Sequence, residues 1–274
     1  MGRSAKYIVA FAAAVCLVCS ILVSGAAVSL KPLQEINKTL DKQKKVLTVA
    51  GLMSHGEEIL PEEVQRRFTE SIEAVVIDLS TGMADEEADV GRFDQKKATG
   101  DPETSIVAPK NRAGVGRMPK QAMVYLVKKA DAVEMFILPI EGKGLWSTLY
   151  GFIALGPDTN RIEGITFYQH GETPGLGGEV DNPSWKAKWP GRLAFGASKA
   201  PADWDKPRIR VIKGSAGSVS DAPHSVDGLA GATITSNGVT HLLHLWLGEN
   251  GFGPYLKKQR PRGDGAAART GGDA

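Results

Sequence analysis

Beyond Cys19 the chain has no cysteine, and its two cysteines, Cys16 and Cys19, both lie inside an apolar N-terminal run. That absence excludes a disulfide framework, a thiolate metal centre and a cysteine nucleophile from everything after the run. Charge of one sign is also lacking. Thirty-three Lys and Arg against 31 Asp and Glu leave a net +2, which gives nucleic acid no reason to bind. Internal repeats are missing. No Gly-Lys-Ser/Thr follows a glycine loop, so there is no Walker-type phosphate loop, and no glycine fingerprint opens a dinucleotide-binding helix. A Ser-His-Asp order, a catalytic carboxylate pair and a zincin motif are likewise absent. What is plentiful is glycine and proline, 32 and 15 residues, the composition of a fold with many turns. The 274 residues leave room for one or two domains with a sizeable core.

Tyr7 to Leu30 runs for 24 residues without a charge. At about 1.5 Å per residue this is roughly 36 Å of helix, enough to cross a bilayer with some tilt. A signal peptide, with Ser24-Gly25-Ala26 as its cleavage site, is the rival reading, but its apolar core is shorter, about 7–15 residues. We therefore expect a retained transmembrane helix over residues 7–30. Arg3 and Lys6 precede it, and Lys31, Lys38, Lys42, Lys44 and Lys45 follow it among Glu35 and Asp41, so charge alone leaves the orientation open. A six-residue tail favours a cytoplasmic N-terminus with the bulk of the chain outside.

Residues 31–82 read as a membrane-proximal helical segment. Pro32 either kinks the anchor helix or opens a new one. Pro61 opens a further helix with Val64, Phe68 and Ile72 on one face, and Ala74 to Leu79 reads as a short strand. Residues 83–120 are polar, mixed in charge and without periodicity, which predicts a loop. In residues 121–253, strands are expected at Gln121–Val127, Val133–Ile140, Gly151–Leu155, Ile162–Tyr168 and Arg208–Ile212, the first four paired as hairpins. Residues 254–274, rich in Gly, Ala, Arg and Lys, read as a disordered tail. The fold class is α+β: one N-terminal transmembrane helix, then a strand-rich domain with flanking helices.

Two stretches carry chemistry. Asp227 to Ser236 is small and hydroxyl-rich. After it, Val239, Leu242, Leu243, Trp246 and Leu247 fall at i, i+3, i+4, i+7 and i+8, the stripe of a buried helix face. With Ser236 or Asn237 as N-cap and Gly248 or Gly251 as stop, Thr233 falls just before a helix N-terminus, where free N–H groups and the dipole favour a phosphate. Gly231 and Ala232 leave room beside it. The second stretch, His170 to Glu179, holds four glycines and a proline, a tight loop whose N–H groups can line a pocket. Trp146 and Tyr150, four apart, can pack on a flat ring or fill the sheet's end. Trp185 and Trp189 read as packing under a loop. His241 and His244 have the spacing of a shared metal, but no third ligand is indicated.

The segment Asp227-x-x-Ala230-Gly231-Ala232-Thr233 resembles the flavinylation motif of the FMN-binding domain family, Asp-x-x-Ser/Thr-Gly-Ala-Thr, with Ala230 in place of the usual hydroxyl residue. Gly144-Leu-Trp, His170-x-Glu172-Thr173-Pro174-Gly175-Leu176-Gly177 and Asn182-Pro-Ser-Trp185 are similar to one branch of that family, the C-type subunits of sodium-translocating NADH:quinone reductases, related to the G-type subunits of Rnf complexes. The resemblance implies that Thr233 carries FMN through a phosphoester installed by a flavin transferase from FAD. It also implies that Trp146, Glu172, Thr173, Gly175, Leu176, Gly177, Ala232 and Thr235 border the cofactor. It implies an electron-relaying subunit, inactive alone, in the bacterial inner membrane with its soluble domain periplasmic. Its partners are the other subunits of the reductase, the transferase and membrane lipid, with no nucleic acid. An Rnf-type ferredoxin:NAD oxidoreductase subunit and a non-catalytic membrane-anchored assembly module are the alternatives.

Overall fold

The structure is a computed structural model that describes residues 4–129, 132–196 and 206–260. The chain divides after Gln43 into two compact units, Met1–Gln43 and Lys44–Ala274. The first is helical: α1 (Ala5–Val49) starts in it and ends in the second unit. Pro32 lies within this one helix and neither ends it nor opens another. A proline removes a single i→i−4 bond, and the helical residues on both sides carry the chain through. Every residue from 4 to 39 is exposed, and the apolar window of α1 has a mean hydropathy of 2.6, long and apolar enough to cross a membrane.

The second unit is built on a six-stranded antiparallel sheet. After α2 (Pro61–Ser71) come β1 (Ile72–Asp78), β2 (Met83–Ala84), α3 (Gln95–Gly100), β3 (Ser105–Val107) and β4 (Arg117–Pro119). Then β5 (Gln121–Lys129), β6 (Ala132–Lys143), β7 (Thr148–Leu155) and β8 (Ile162–Gln169) follow as a meander. The sheet order is β2-β1-β5-β6-β7-β8. The turn between β7 and β8 is set by Asp158, whose carboxylate accepts the N–H groups of Asn160 and Arg161 at 3.0 and 2.9 Å.

Three expectations are corrected. The strand at residues 72–78 belongs to the sheet, paired with β5 from Ile72↔Val127 to Asp78↔Gln121, so the domain begins well before residue 121. Local sequence could not show this, because the partner lies more than forty residues away. The polar stretch 83–120 is no plain loop: Asp94 caps α3 by accepting from Lys96 and Lys97 N–H, and β3 pairs with β4. The segment expected as a tail begins with a helix, α6 (Gly253–Gln259), because Tyr255 and Leu256 have core to bury against; residues 261–274 lie outside the described residues. In addition, the strand predicted at 208–212 is only β9 (Arg210–Val211), paired parallel with β10 (Ser225–Val226) outside the main sheet.

The connection after β8 holds a 3₁₀ turn, Gly177–Asp181, and α4 (Pro183–Lys186). Trp185 and Trp189 pack edge to face beneath it, centroids 5.3 Å apart. The last large element is α5 (Thr233–Leu247), and all five residues of its predicted stripe are buried. It lies close on β6. A Cβ at Gly142 would stand 2.6 Å from Leu242 Cβ, and one at Gly238 would overlap Lys143 O. Trp246 Nε1 donates to Glu141 O at 2.8 Å. Gly238→Ala is expected to force α5 off β6 and cost about 1–3 kcal/mol. That lowers the melting temperature by roughly 2–4 °C per kcal/mol in a domain of this size. Gly116→Ala, where a Cβ meets nothing within 4 Å, is the control, and thermal unfolding followed by circular dichroism compares the two.

Candidate functional site

The loop leading into α5 is clamped at its start and open at its end. Asp227 accepts from Ala216 N–H at 2.7 Å, and pairs with Lys188. Its backbone carbonyl takes Trp185 Nε1 at 2.8 Å. Burial pushes the Asp227 carboxyl up, but Lys188 and the Ala216 N–H outweigh it and hold it below the usual range. Beyond Leu229 the chain turns outward. Ala230 is exposed, so the missing hydroxyl at this position leaves no buried group unpaired. Gly231 sits at φ +69°, and a Cβ there would stand 2.9 Å from Leu176 Cδ2. The left-handed backbone favours glycine, and the bare Cα lets Leu176 come close.

The helix begins one turn earlier than its side chains suggest. Ala232, buried, is the N-cap and Thr233 the first helical residue. Ser236 is not the cap because its hydroxyl accepts the N–H of Leu229 at 3.0 Å instead. Thr240 Oγ1 accepts from Val211 N–H at 2.9 Å. Thr235, 0% exposed, donates its hydroxyl to Glu172 Oε2 at 2.6 Å. Of these four hydroxyl residues only Thr233 is exposed. The first intrahelical bond runs from Ser236 N–H to Ala232 O at 3.0 Å. Among the described residues the N–H groups of Thr233, Ile234 and Thr235 have no acceptor. Three free donors at the positive end of a 15-residue helix, beside one exposed hydroxyl, suit a phosphate.

The glycine loop faces this turn, and Glu172 ties the two together. Its carboxylate is 5% exposed and accepts four bonds: Leu145 N–H at 3.1 Å, Trp146 N–H at 2.9 Å, Ser147 N–H at 3.1 Å and the Thr235 hydroxyl. Burial pushes this carboxyl up, yet the Thr235 hydroxyl and the three N–H groups prevail and hold it below its ordinary value. Gly144 and Gly177 close around it, since a Cβ at either would stand 2.6 Å from a carboxylate oxygen. Thr173, Pro174, Gly175 and Leu176 form an exposed turn, with Gly175 at φ +75°. Two nearby N–H groups point inward: Leu176 and Gly178 donate to Thr173 O at 3.1 and 2.9 Å. Those of Thr173, Gly175 and Gly177 keep no partner among the described residues. Trp146 is 72% exposed and no core aromatic. Tyr150 is half-buried, under the ammonium of Lys96 at 4.4 Å.

The structure thus gathers Trp146, Glu172, Gly177, Leu176 and Thr235 around the turn at Thr233, but in two layers. Glu172 and Thr235 lie beneath, bonded to each other, whereas Trp146, Leu176 (44% exposed) and Ile234 (58%) stand at the surface. Ile234 is an addition to the residues expected from sequence. Its position outside the i, i+3, i+4 stripe is the signal that marks it. The two histidines are separate from this site. A ring nitrogen of His244 bonds Ile209 O at 2.8 Å, and no group of three metal-ligating side chains occurs among the described residues.

An exposed hydroxyl and free helix donors thus lie opposite a glycine loop, and residues 144–248 match the FMN-binding domain family. The chain is 47% identical over 249 residues to the C-type subunit of the Na(+)-translocating NADH-quinone reductase of Pseudomonas aeruginosa, covering 90% of this chain and 92% of that one. The corresponding subunit of Yersinia pestis is 46% identical over 248 residues, 89% of each chain. Among solved structures, the NqrC of Shewanella oneidensis superposes with a TM-score of 0.70 at 34% identity, over 79% of this chain and 95% of that one. The chain belongs to the NqrC family, the C-type subunits of Na(+)-translocating NADH-quinone reductases.

The Glu172 carboxyl has a lowered folded pKa, so its contribution to stability is complete above the ordinary carboxylate value of about 4.3 and is lost as pH falls through the folded value. Glu172→Gln has no such titration. The gap in melting temperature between wild type and Glu172→Gln is expected to be wide at pH 7 and to narrow toward pH 3; a constant gap would show that the carboxylate charge is not what the four donors hold.

Proposed function

We propose that this chain is the membrane-anchored subunit that carries FMN as a phosphoester on Thr233 and relays electrons within a Na(+)-translocating NADH-quinone reductase. The observation that carries this reading is the contrast among the hydroxyls: Thr235, Ser236 and Thr240 are committed to the fold, and Thr233 alone is exposed beside three free N–H groups. A flavin transferase supplies the group from FAD. The Thr233 oxygen bonds the flavin-side phosphorus, the pyrophosphate bond breaks, AMP leaves, and the hydroxyl proton goes to solvent or to the transferase. Thr233 and the N–H groups beside it would hold the FMN, which would supply reversible electron transfer.

The chain's own residues hold and orient the group. The N–H groups of Thr233, Ile234 and Thr235 would donate to the phosphate oxygens, and the helix end would contribute about 0.3–1 kcal/mol at an exposed terminus. Trp146 and Leu176 would form apolar walls for a flat ring, with the unpaired N–H groups of the exposed Thr173 and Gly175 available to ring carbonyls and nitrogens. NADH and quinone sites belong to partner subunits. Residues 7–30 anchor the chain in the inner membrane and in its lipid, with the N-terminus cytoplasmic and the domain periplasmic.

Thr233→Ala, produced together with the flavin transferase, is expected to abolish covalent flavin fluorescence on a denaturing gel and the FMN increment in intact mass. The flavin is not expected to migrate to Thr235, which is buried and bonded to Glu172. Fluorescence that survives in Thr233→Ala rejects the assignment. Protease added to intact spheroplasts is expected to cleave the domain; protection would place it in the cytoplasm.

A further inference from the structure

The family resemblance implies that Glu172 borders the cofactor, but the structure puts it under the surface. Its two oxygens are divided between separate segments. Oε1 takes Trp146 and Ser147 N–H, and Oε2 takes Leu145 N–H and the Thr235 hydroxyl. One carboxylate therefore joins the loop carrying Trp146 to the first turn of α5, the turn that begins with Thr233. The two segments are some ninety residues apart in sequence; they also meet where Gly238 packs on Lys143 and Gly144, and Ser147 Oγ accepts from Gly171 N–H at 2.7 Å, on the Glu172 side. Gly144 and Gly177 let the carboxylate sit this close to both segments, since a Cβ at either would stand 2.6 Å from one of its oxygens.

From this we infer that Glu172 is a positioning residue: it sets the distance and angle between the apolar wall at Trp146 and the phosphate attachment at Thr233. The inference rests on the proposed attachment of FMN to Thr233. Glu172 is 5% exposed, and its oxygens are already engaged by four donors of the chain itself. It acts through Thr235 and through three backbone N–H groups. A carboxylate suits this task because it accepts at all four positions, whereas an amide of the same shape presents two N–H donors where at least one N–H already points.

Glu172→Gln and Thr235→Val, each produced with the transferase in the full chain, test it by three readouts. Intact mass is expected to show FMN on wild type and on both variants, because the acceptor is untouched. Amide hydrogen exchange at Leu145, Trp146 and Ser147 is expected to accelerate about ten-fold or more in Glu172→Gln, as stranded buried donors do. It is expected to accelerate less in Thr235→Val, which keeps the carboxylate. The flavin's fluorescence anisotropy is expected to fall in the same order, reporting a ring freed from its wall. Anisotropy unchanged in Glu172→Gln while exchange accelerates would reduce Glu172 to a structural residue and overturn the inference. Unchanged exchange would overturn it as well. Wild-type protein without FMN on Thr233 would instead reject the underlying reading, a different arm of the same experiment.

Discussion

The approach of α5 to β6 is the constraint on which the second unit depends. Gly142 on the strand and Gly238 on the helix remove the side chains that would hold the two backbones apart. Leu242, Leu243, Trp246 and Leu247 then reach the sheet and are fully buried. At roughly 1.5–3 kcal/mol per fully buried large side chain, this stripe outweighs any single polar contact in the domain. It also fixes where α5 begins. A helix pinned at Gly238 and Leu242 must present its first turn at the end of β6, beside the loop that holds Trp146. Core packing thus places the first turn of α5, and Glu172 ties the loop of Trp146 to it.

Polar groups then decide what that first turn exposes. A helix start normally satisfies its free N–H groups with a serine, threonine, aspartate or asparagine cap. Here the N-cap position is Ala232, which has no acceptor, and the hydroxyls inside the helix are engaged with other parts of the fold: Ser236 with Leu229, Thr235 with Glu172, Thr240 with Val211. Asp227, further back in the loop, is engaged by Lys188 and Ala216. The three N–H groups stay open because the N-cap is Ala232, whose side chain carries no acceptor. An unsatisfied helix end at the surface costs little, since water serves it, and it is ready for an anionic group.

The meander β5–β8, the buried stripe of α5 and the glycine loop are legible in the sequence because each is written in local pattern: alternation, 3.6-residue spacing, turn residues. The place of β1 beside β5 is not, since a pairing across forty residues leaves no mark on either strand alone. Nor is the start of α5, because Ser236 looks like a cap in sequence and is one only if its hydroxyl is free. Glu172 and Thr235 are bonded to each other beneath the surface, with Gly144 and Gly177 closing over the carboxylate, an arrangement that the sequence does not show. The metal spacing of His241 and His244 comes with no third ligand in sequence, and His244 proves to serve Ile209. Capping, burial and partner choice are tertiary facts, so motif residues show that a site exists more readily than they show which residue touches the ligand.

The surface character of the site bears on why a covalent link is chemically sensible. Trp146, Leu176 and Ile234 are largely exposed, and the turn at Thr173–Leu176 lies on the outside of the fold. Binding sites that hold a free ligand tightly bury most of its surface in a concave pocket. An open wall and a few N–H donors cannot offset the translational and rotational freedom that a dissociable flavin loses on binding. A tether removes that loss, because the ring then meets its wall at the high effective concentration of an intramolecular contact. The same openness would, on the proposed reading, leave one face of the ring accessible to a partner subunit. On the proposed reading, exposure of Thr233 and weakness of the ring site are one design: the bond holds the cofactor, and the shallow wall, aligned by Glu172, only orients it.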